Sequence, residues 1–525
     1  MLAFRVIKIE YRRALHQDLI PAPCPPVIPS STAPCTSHSP LATRHCSTFL
    51  PGSGQYVECD VTHSKQTTAT FLPGSRIARC GLLLLLLACG SFLAQARFRQ
   101  PNSEYQARRA KLRSTINGPA VLFGYTSHQD AGELAVFFQE ENFYYLTGHS
   151  EPDAALLLIP DSADGKSSDS PREILYLPPR NPNAEKWGGP KMGPEDPGIA
   201  ETTGFQAVEP FANLRTDLAN LAKTYSTFYT ELPPKQENGY PQLTIWSGWV
   251  RSILPQSTVD DVAPALASLR QIKSAGEIAL IQKAVDASVD AHIAAMKMMR
   301  PGLFEYQIAA RMKEVHEMEG CSREAYAPIV GTGFYSTVLH YDALKNEIKD
   351  GDVVVIDVAG EYGDYAADIT RTLPANGKFT ARQREIYEIV LGAQNAALAA
   401  IKPGAVFFGG PKSVHQVAYD YINTHGHDLH GNTLGRYFFH GVGHHLGLDV
   451  HDPNDRISPL QAGMVITDEP GIYIPEENIG VRIEDDVLVT PDGNQLLSAK
   501  LPRSPDEIEK IMAEGRAQPQ SQPQP

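Results

Sequence analysis

The stretch GDVVVIDVAGEYGDYAADITRT, residues 351–372, decides how this chain folds around its chemistry. VVVIDVAG (353–360) is an apolar, β-branched run that reads as a buried strand, and YAADITRTL (365–373) reads as a second one. EYGD between them carries turn chemistry. The midpoint of Asp357 and Asp368 falls between Tyr362 and Gly363. Folding there sets the two carboxylates opposite each other on antiparallel strands, where facing side chains lie about 5 Å apart. Two buried carboxylates that face each other repel unless a cation sits between them. The competing reading has one aspartate capping the turn and the other pairing with Arg371.

Further along, HGVGHHLGLDVHD (440–452) spaces His440, His444 and His451 through a glycine-punctuated run. Gly441, Gly443 and Gly447 remove side-chain bulk where a site must be approached closely. His445 reads as a space-filling neighbour. MVITDEPGIYI and GVRIEDDVLV place Glu469 and Glu484 at the ends of strand-like apolar runs, where burial demands a partner; for Glu484 alone, Arg482 would serve. Taken together, Asp357, Asp368, His444, Glu469 and Glu484 form an oxygen-rich ligand set. Its hardness suits Mn²⁺, with Co²⁺ or Zn²⁺ as alternatives, better than a structural zinc site built on thiolates. So much negative charge fits a pair of ions about 3.5–4 Å apart rather than one.

From about Leu269 to Pro502 the chain resembles the pita-bread metallopeptidases, and specifically the aminopeptidase P (Xaa-Pro aminopeptidase) family. The resemblance is carried by VLHY (338–341), GDVVVIDVAGEYGDYAADITRT, HGVGHHLGLDVHD, DEPGIY (468–473) and GVRIEDD (480–486), in family order and spacing. It implies an α+β pita-bread catalytic domain preceded by a ribonuclease-H-like α/β domain. It implies Asp357, Asp368, His444, Glu469 and Glu484 as ligands of two divalent metal ions per subunit. It further implies that His340 and His451 contact substrate and steady the tetrahedral intermediate, that His440 lines the prolyl side of the cleft, and that Tyr473 and Arg482 stand near the substrate. Glu469 would shuttle the proton from the nucleophilic water to the prolyl nitrogen, which carries no N–H of its own in the peptide and must be protonated as it leaves. One departure is that Leu344 stands where the family often has an asparagine after the His-Tyr pair. The activity implied is release of the N-terminal residue from peptides with proline second; the alternative is an Xaa-Pro dipeptidase (prolidase). A metal-free binding relative would lack a ligand, and none is missing.

The chain has 525 residues, enough for two or three domains with their own cores. A formal net charge of −14, with no basic patch or finger, argues against a nucleic-acid partner. Of seven cysteines, six (24, 35, 46, 59, 80 and 89) precede residue 90, leaving Cys321 as a plain thiol in a helical stretch and no disulfide framework. Residues 1–75 read as a disordered or mis-started extension. Residues 76–96 resemble a signal peptide: Arg76 and Arg79, the apolar run Gly81–Ala88, then Ala94-Gln95-Ala96. That run is too short to span a ~30 Å bilayer. The expectation is an exported protein, periplasmic or secreted, or a cytoplasmic one if that segment is an artefact of the start site.

Residues 97–264 read as the N-terminal domain, with strands expected at AVLFGY, ELAVFF, NFYYLTG, AALLLIP and EILYLPP, a hairpin loop at DSADGKSSDSPR and helix at PFANLRTDLANLAK. The resemblance implies that this domain narrows the cleft and builds a homo-oligomer, a dimer or tetramer. The catalytic domain spans 265–502 and opens with a capping box at Ser274 and Glu277. Residues 503–525 complete the chain as a helix and a disordered tail.

Overall fold

The computed structural model describes residues 99–127, 136–161, 171–234, 241–455 and 457–517. The extension 1–75, the signal-like segment 76–96, most of DSADGKSSDSPR and the QPQSQPQP tail lie outside the described residues.

The first domain is a mixed six-stranded sheet. Its spatial order runs Ala207–Pro210, Glu173–Leu177, Ala155–Leu158, Ala120–Phe123, Thr227–Thr230, Thr258–Asp261. Strand periodicity of two explains why both faces are apolar. Val121, Phe123, Ala155 and Leu157 pack with Leu214, Leu218 and Val250 of the helices on one side. Ala120, Leu122, Leu156 and Leu158 face the other side, in the core that continues into the second domain. Ala155–Leu158 and Glu173–Leu177 pair antiparallel, as a hairpin around DSADGKSSDSPR requires.

NFYYLTG departs from expectation: it forms a helix, Glu141–Thr147, not a strand. The Glu140 carboxylate accepts from the Phe143 N–H, and Gly148 closes the helix in the left-handed region at φ 59°. An unbroken apolar run carries no period to separate helix from strand, and here burial of Phe143, Tyr144, Tyr145 and Leu146 on all sides allows the helix. ELAVFF also forms no strand over its described residues 136–138.

The second domain opens with the helix Ala275–Met298, capped reciprocally by Ser274 and Glu277. Helices Glu305–Met318, Ala381–Ala400, Val414–Thr424 and Pro505–Ala517 cover the strands of four small antiparallel sheets. Cys321 lies just past the end of its helix rather than within it, and burial pushes its thiol up to about 12.

Candidate active site

The strand Val353–Asp357 pairs antiparallel with Thr370–Pro374, but Asp357 faces Thr370, not Asp368. The turn is tightest at Gly363 and Asp364, both with positive φ, and the register is displaced by two residues from the expected opposition. Because side chains alternate, a shift of two leaves both aspartates on the same face of the ribbon. Asp368 sits in the break between the strand pieces Tyr365–Ala366 and Thr370–Pro374. His292, from the long capped helix, reaches both edges of this ribbon. Its Nε2 lies 3.1 Å from the Val358 carbonyl and 3.0 Å from the Ile369 carbonyl, next door to each aspartate. Two carbonyl acceptors require the Nε2–H tautomer, and burial pushes the imidazole down to about 3, so it stays neutral. Nothing in the local sequence marked His292, whose partners are more than sixty residues away.

Thr370 also bridges to Glu484, which with Ile483 links the strands Ile479–Arg482 and Asp485–Thr490. Its hydroxyl donates to Glu484 Oε2 at 2.6 Å. Asp357, Thr370 and Glu484 therefore run in sequence across three strands. Glu469 follows the strand Val465–Asp468, and the histidine-rich loop is laced to that strand by Thr467 N–H to the His444 carbonyl and Leu446 N–H to Val465. Gly443 is obligatory here, since a Cβ on it would lie 2.1 Å from the Thr467 carbonyl oxygen. The glycine serves loop-to-strand contact rather than room for ligand.

Ligand atoms of Asp368, His444 and Glu484 all fall within 4.8 Å of one another. His444 Nε2 lies 3.2 Å from Asp368 and 3.5 Å from Glu469. The His444 Nδ1–H donates to the His445 carbonyl, which leaves Nε2 as the ligating nitrogen. Asp357 is held from two sides, by the Tyr326 hydroxyl at 2.5 Å and by Arg482 at 2.7 Å. Arg482 also donates to Tyr473 Oη, and the Tyr473 hydroxyl donates on to His440 Nε2 at 2.9 Å. The His440 Nδ1–H donates to the Gly441 carbonyl, and burial, aided by Arg482, pushes His440 down to about 3.

One cavity of about 280 Å³ is lined by His340, Asp357, Asp368, His440, His444, His451, Glu469, Arg482 and Glu484. The fold thus brings all five expected ligands and three expected histidines together. Tyr473 stands behind this wall, bonded to Arg482 and His440. His340 is exposed at the rim, and the His451 ring packs edge-on against His444 at 4.3 Å. A wider cavity of about 520 Å³ shares His340, Asp357, Asp368 and His451 and reaches Glu141 of the first domain. Leu344 adopts φ 48°, and Asn346, two residues on, makes the polar contacts of this loop, with Tyr341 and Glu305. Tyr326, Thr370 and His292 are site residues that sequence reasoning missed.

Burial raises Glu469 to about 7, and it holds Asp357 above the usual carboxylate range even though Arg482 opposes that. Burial together with Asp368, Glu469 and Asp357 holds Glu484 well above it. Burial alone would lower His444, but Asp368 and Glu469 raise it to about 9. Four carboxylates against the Arg482 guanidinium and the His444 imidazole still leave a deficit of positive charge inside the protein. Divalent cations fit that deficit and this donor set.

Crowded carboxylates and a ligand-ready imidazole, at the junction of paired β-ribbons, meet the requirements of a metallopeptidase with the pita-bread fold. Residues 279–491 match metallopeptidase family M24, and residues 105–229 match the aminopeptidase P N-terminal domain. The chain is 35% identical to the Xaa-Pro aminopeptidase of Haemophilus influenzae, over 78% of this chain and 97% of that one. It is 36% identical to human Xaa-Pro aminopeptidase 3, over 78% and 86%. The structure of Escherichia coli aminopeptidase P with the inhibitor Pro-Leu superposes with a TM-score of 0.69 at 31% identity, covering 80% of this chain and all of that one. This chain belongs to metallopeptidase family M24, in its aminopeptidase P group.

Proposed function

We propose that the protein hydrolyses the bond between an N-terminal residue and a following proline. The observation that carries this reading is the convergence of Asp357, Asp368, His444, Glu469 and Glu484 on one cavity, with His340, His440 and His451 around it. The relatives named Xaa-Pro aminopeptidase are matched over nearly their whole length, which favours the aminopeptidase over the dipeptidase. Asp357, Asp368, His444, Glu469 and Glu484 would hold two divalent ions, and the hardness of the donors favours Mn²⁺ over Co²⁺ or Zn²⁺. Bound there, such ions supply Lewis-acid polarisation and a nucleophilic water ionised near neutral pH.

The protein's own residues do the rest. Glu469, on the wall of the same cavity, is suited to take a proton from the attacking water and pass it to the prolyl nitrogen. His440, kept neutral and oriented by Tyr473, would line the prolyl side of the cleft. His340 and His451, at the rim, would steady the tetrahedral carbon's oxygen. Arg482 and Tyr473 act through their bonds to Asp357 and His440 more than by touching substrate.

Hydrolysis of an Xaa-Pro-Yaa-Zaa peptide beside the Xaa-Pro dipeptide and an Xaa-Ala control, with and without chelator, tests the reading. Chelator-sensitive cleavage of the longer peptide supports it. Preference for the dipeptide would make the protein a prolidase, and no turnover of any proline peptide would overturn it. Export directed by residues 76–96 is supported by their sequence pattern alone; a mature N-terminus at Arg97 would bear it out. A homo-oligomer, dimer or tetramer, is supported by the family resemblance alone, and light scattering would test it.

A further inference from the structure

The linker between the domains carries two buried cations whose placement the chemistry above does not use. Arg270 ends the helix Ala263–Arg270, and Lys273 lies just before the capped helix. Both converge on Asp452, the last residue of the histidine-rich loop: Arg270 Nη2 at 2.6 Å from one carboxylate oxygen, Lys273 Nζ at 2.9 Å from the other. All three side chains are almost fully buried.

Asp452 in turn shapes the loop. Its N–H donates to the His445 carbonyl, closing residues 445–452 into a ring, and its carboxylate lies so close to Gly447 that a Cβ there would meet it at 2.7 Å. His444 immediately precedes that ring and His451 lies within it, next to Asp452. Arg270 bonds two further residues: Asp449, inside the loop, at 2.7 Å, and Asn142, on the helix Glu141–Thr147 of the first domain, at 2.8 Å. Asn142 donates onward to Glu231 of the same domain at 2.6 Å. A continuous polar path therefore runs from the first domain, through Arg270, to the loop that holds His444 and His451.

We infer that Arg270 is a positioning residue for the catalytic centre, and that through it the first domain sets the placement of His444 and His451. The inference rests on the function proposed above. A guanidinium suits the task because its planar fork can serve Asn142, Asp449 and Asp452 at once, whereas an ammonium is a single point of charge. Partners behind metal-ligating histidines commonly matter by about 10–100-fold in activity or metal affinity.

Arg270→Lys keeps the charge that balances Asp452 and gives up the fork. The expected result is a kcat about tenfold lower with KM within about twofold, a melting temperature close to that of the parent, and weaker Mn²⁺ binding by calorimetric titration with the metal alone. A lysine variant with parental kcat and Mn²⁺ affinity overturns the inference, as does one that only melts earlier. Should that variant not fold, Asn142→Ala removes the links to Arg270 and Glu231 and leaves Arg270 on Asp449 and Asp452; a fall in kcat at constant KM supports the inference, and parental kcat overturns it. The parent protein in the same assay separates the two ideas. If it cleaves no proline peptide, the proposed function fails. If it does and the variants match it, only the positioning role fails.

Discussion

The two halves of the active site are held very differently. At one end Asp357 and Glu484 are tied down by Tyr326, Arg482 and Thr370, through hydrogen bonds of 2.5 to 2.7 Å. At the other end Glu469 has only longer side-chain contacts, to Thr467 at 3.4 Å, His444 at 3.5 Å and His440 at 3.7 Å. A carboxylate with short charged or hydroxyl partners is committed to one place and one ionisation state. A carboxylate with long contacts can change its protonation without rupturing a network. The difference fits the proposed division of labour: Asp357 and Glu484 would be rigidly held ligands, while Glu469, a proposed ligand as well, keeps the looser contacts that a proton carrier would need.

The most severe way to break this contrast is Glu469→Ala. Loss of the proton carrier should lower turnover at least about a thousandfold, while the folded state survives because few contacts are lost; an active purified variant would sink the assignment. Chelator should abolish activity, with recovery on adding Mn²⁺, and activity that persists in chelator would end the metal reading altogether. Arg482→Met strikes the anchored half instead. It leaves Asp357 without its buried counter-charge, a change that typically costs about 3–5 kcal/mol. Chemical denaturation of the chelated protein should show that loss, and part of it should return on metal loading. Equal denaturation midpoints for variant and parent would mean Arg482 does not neutralise Asp357.

Smaller effects sharpen the same comparison. Both His444, raised to about 9, and Glu469, raised to about 7, bind protons more tightly folded than unfolded. The metal-free folded state therefore holds extra protons, from about pH 4.5 to 7 at Glu469 and from about 6.5 to 9 at His444. Its stability is greatest at the acid end of that window and falls as pH rises through it. Thermal melts in chelator should show this decline, and saturating Mn²⁺, which takes the place of those protons, should flatten or reverse it. An identical slope with and without metal would contradict the account. Least of all, Tyr326→Phe removes one hydrogen bond from Asp357, expected to cost roughly 1 kcal/mol, with a modest fall in metal affinity measured by titration.

Much of this site was legible because its ligands sit where local pattern breaks. Asp357, Glu469 and Glu484 each end or interrupt an apolar β-run, and a charge at such a place needs a partner. His444 stood out within a histidine-rich, glycine-spaced loop. The register of Asp357 against Asp368 was off by two residues, because turn geometry at Gly363 and Asp364 is set by backbone dihedrals that the hairpin midpoint does not encode. NFYYLTG was misjudged because its burial on every side erases the period that distinguishes helix from strand. Tyr326, Thr370, His292 and the pairing of Arg270 with Asp452 were illegible, since each contact joins residues far apart in the chain.

The amino-acid sequence by itself determined the candidate ligand set, the capped helix that opens the catalytic domain, and the family, because those depend on residue types at short, regular spacings. Only the tertiary structure decided which carboxylates are held by short bonds and which by longer contacts, and how the first domain reaches the histidine loop. Those outcomes follow from distances between side chains brought together by packing. Burial makes each of them electrostatically consequential, because inside the protein there is little water to screen one charge from the next.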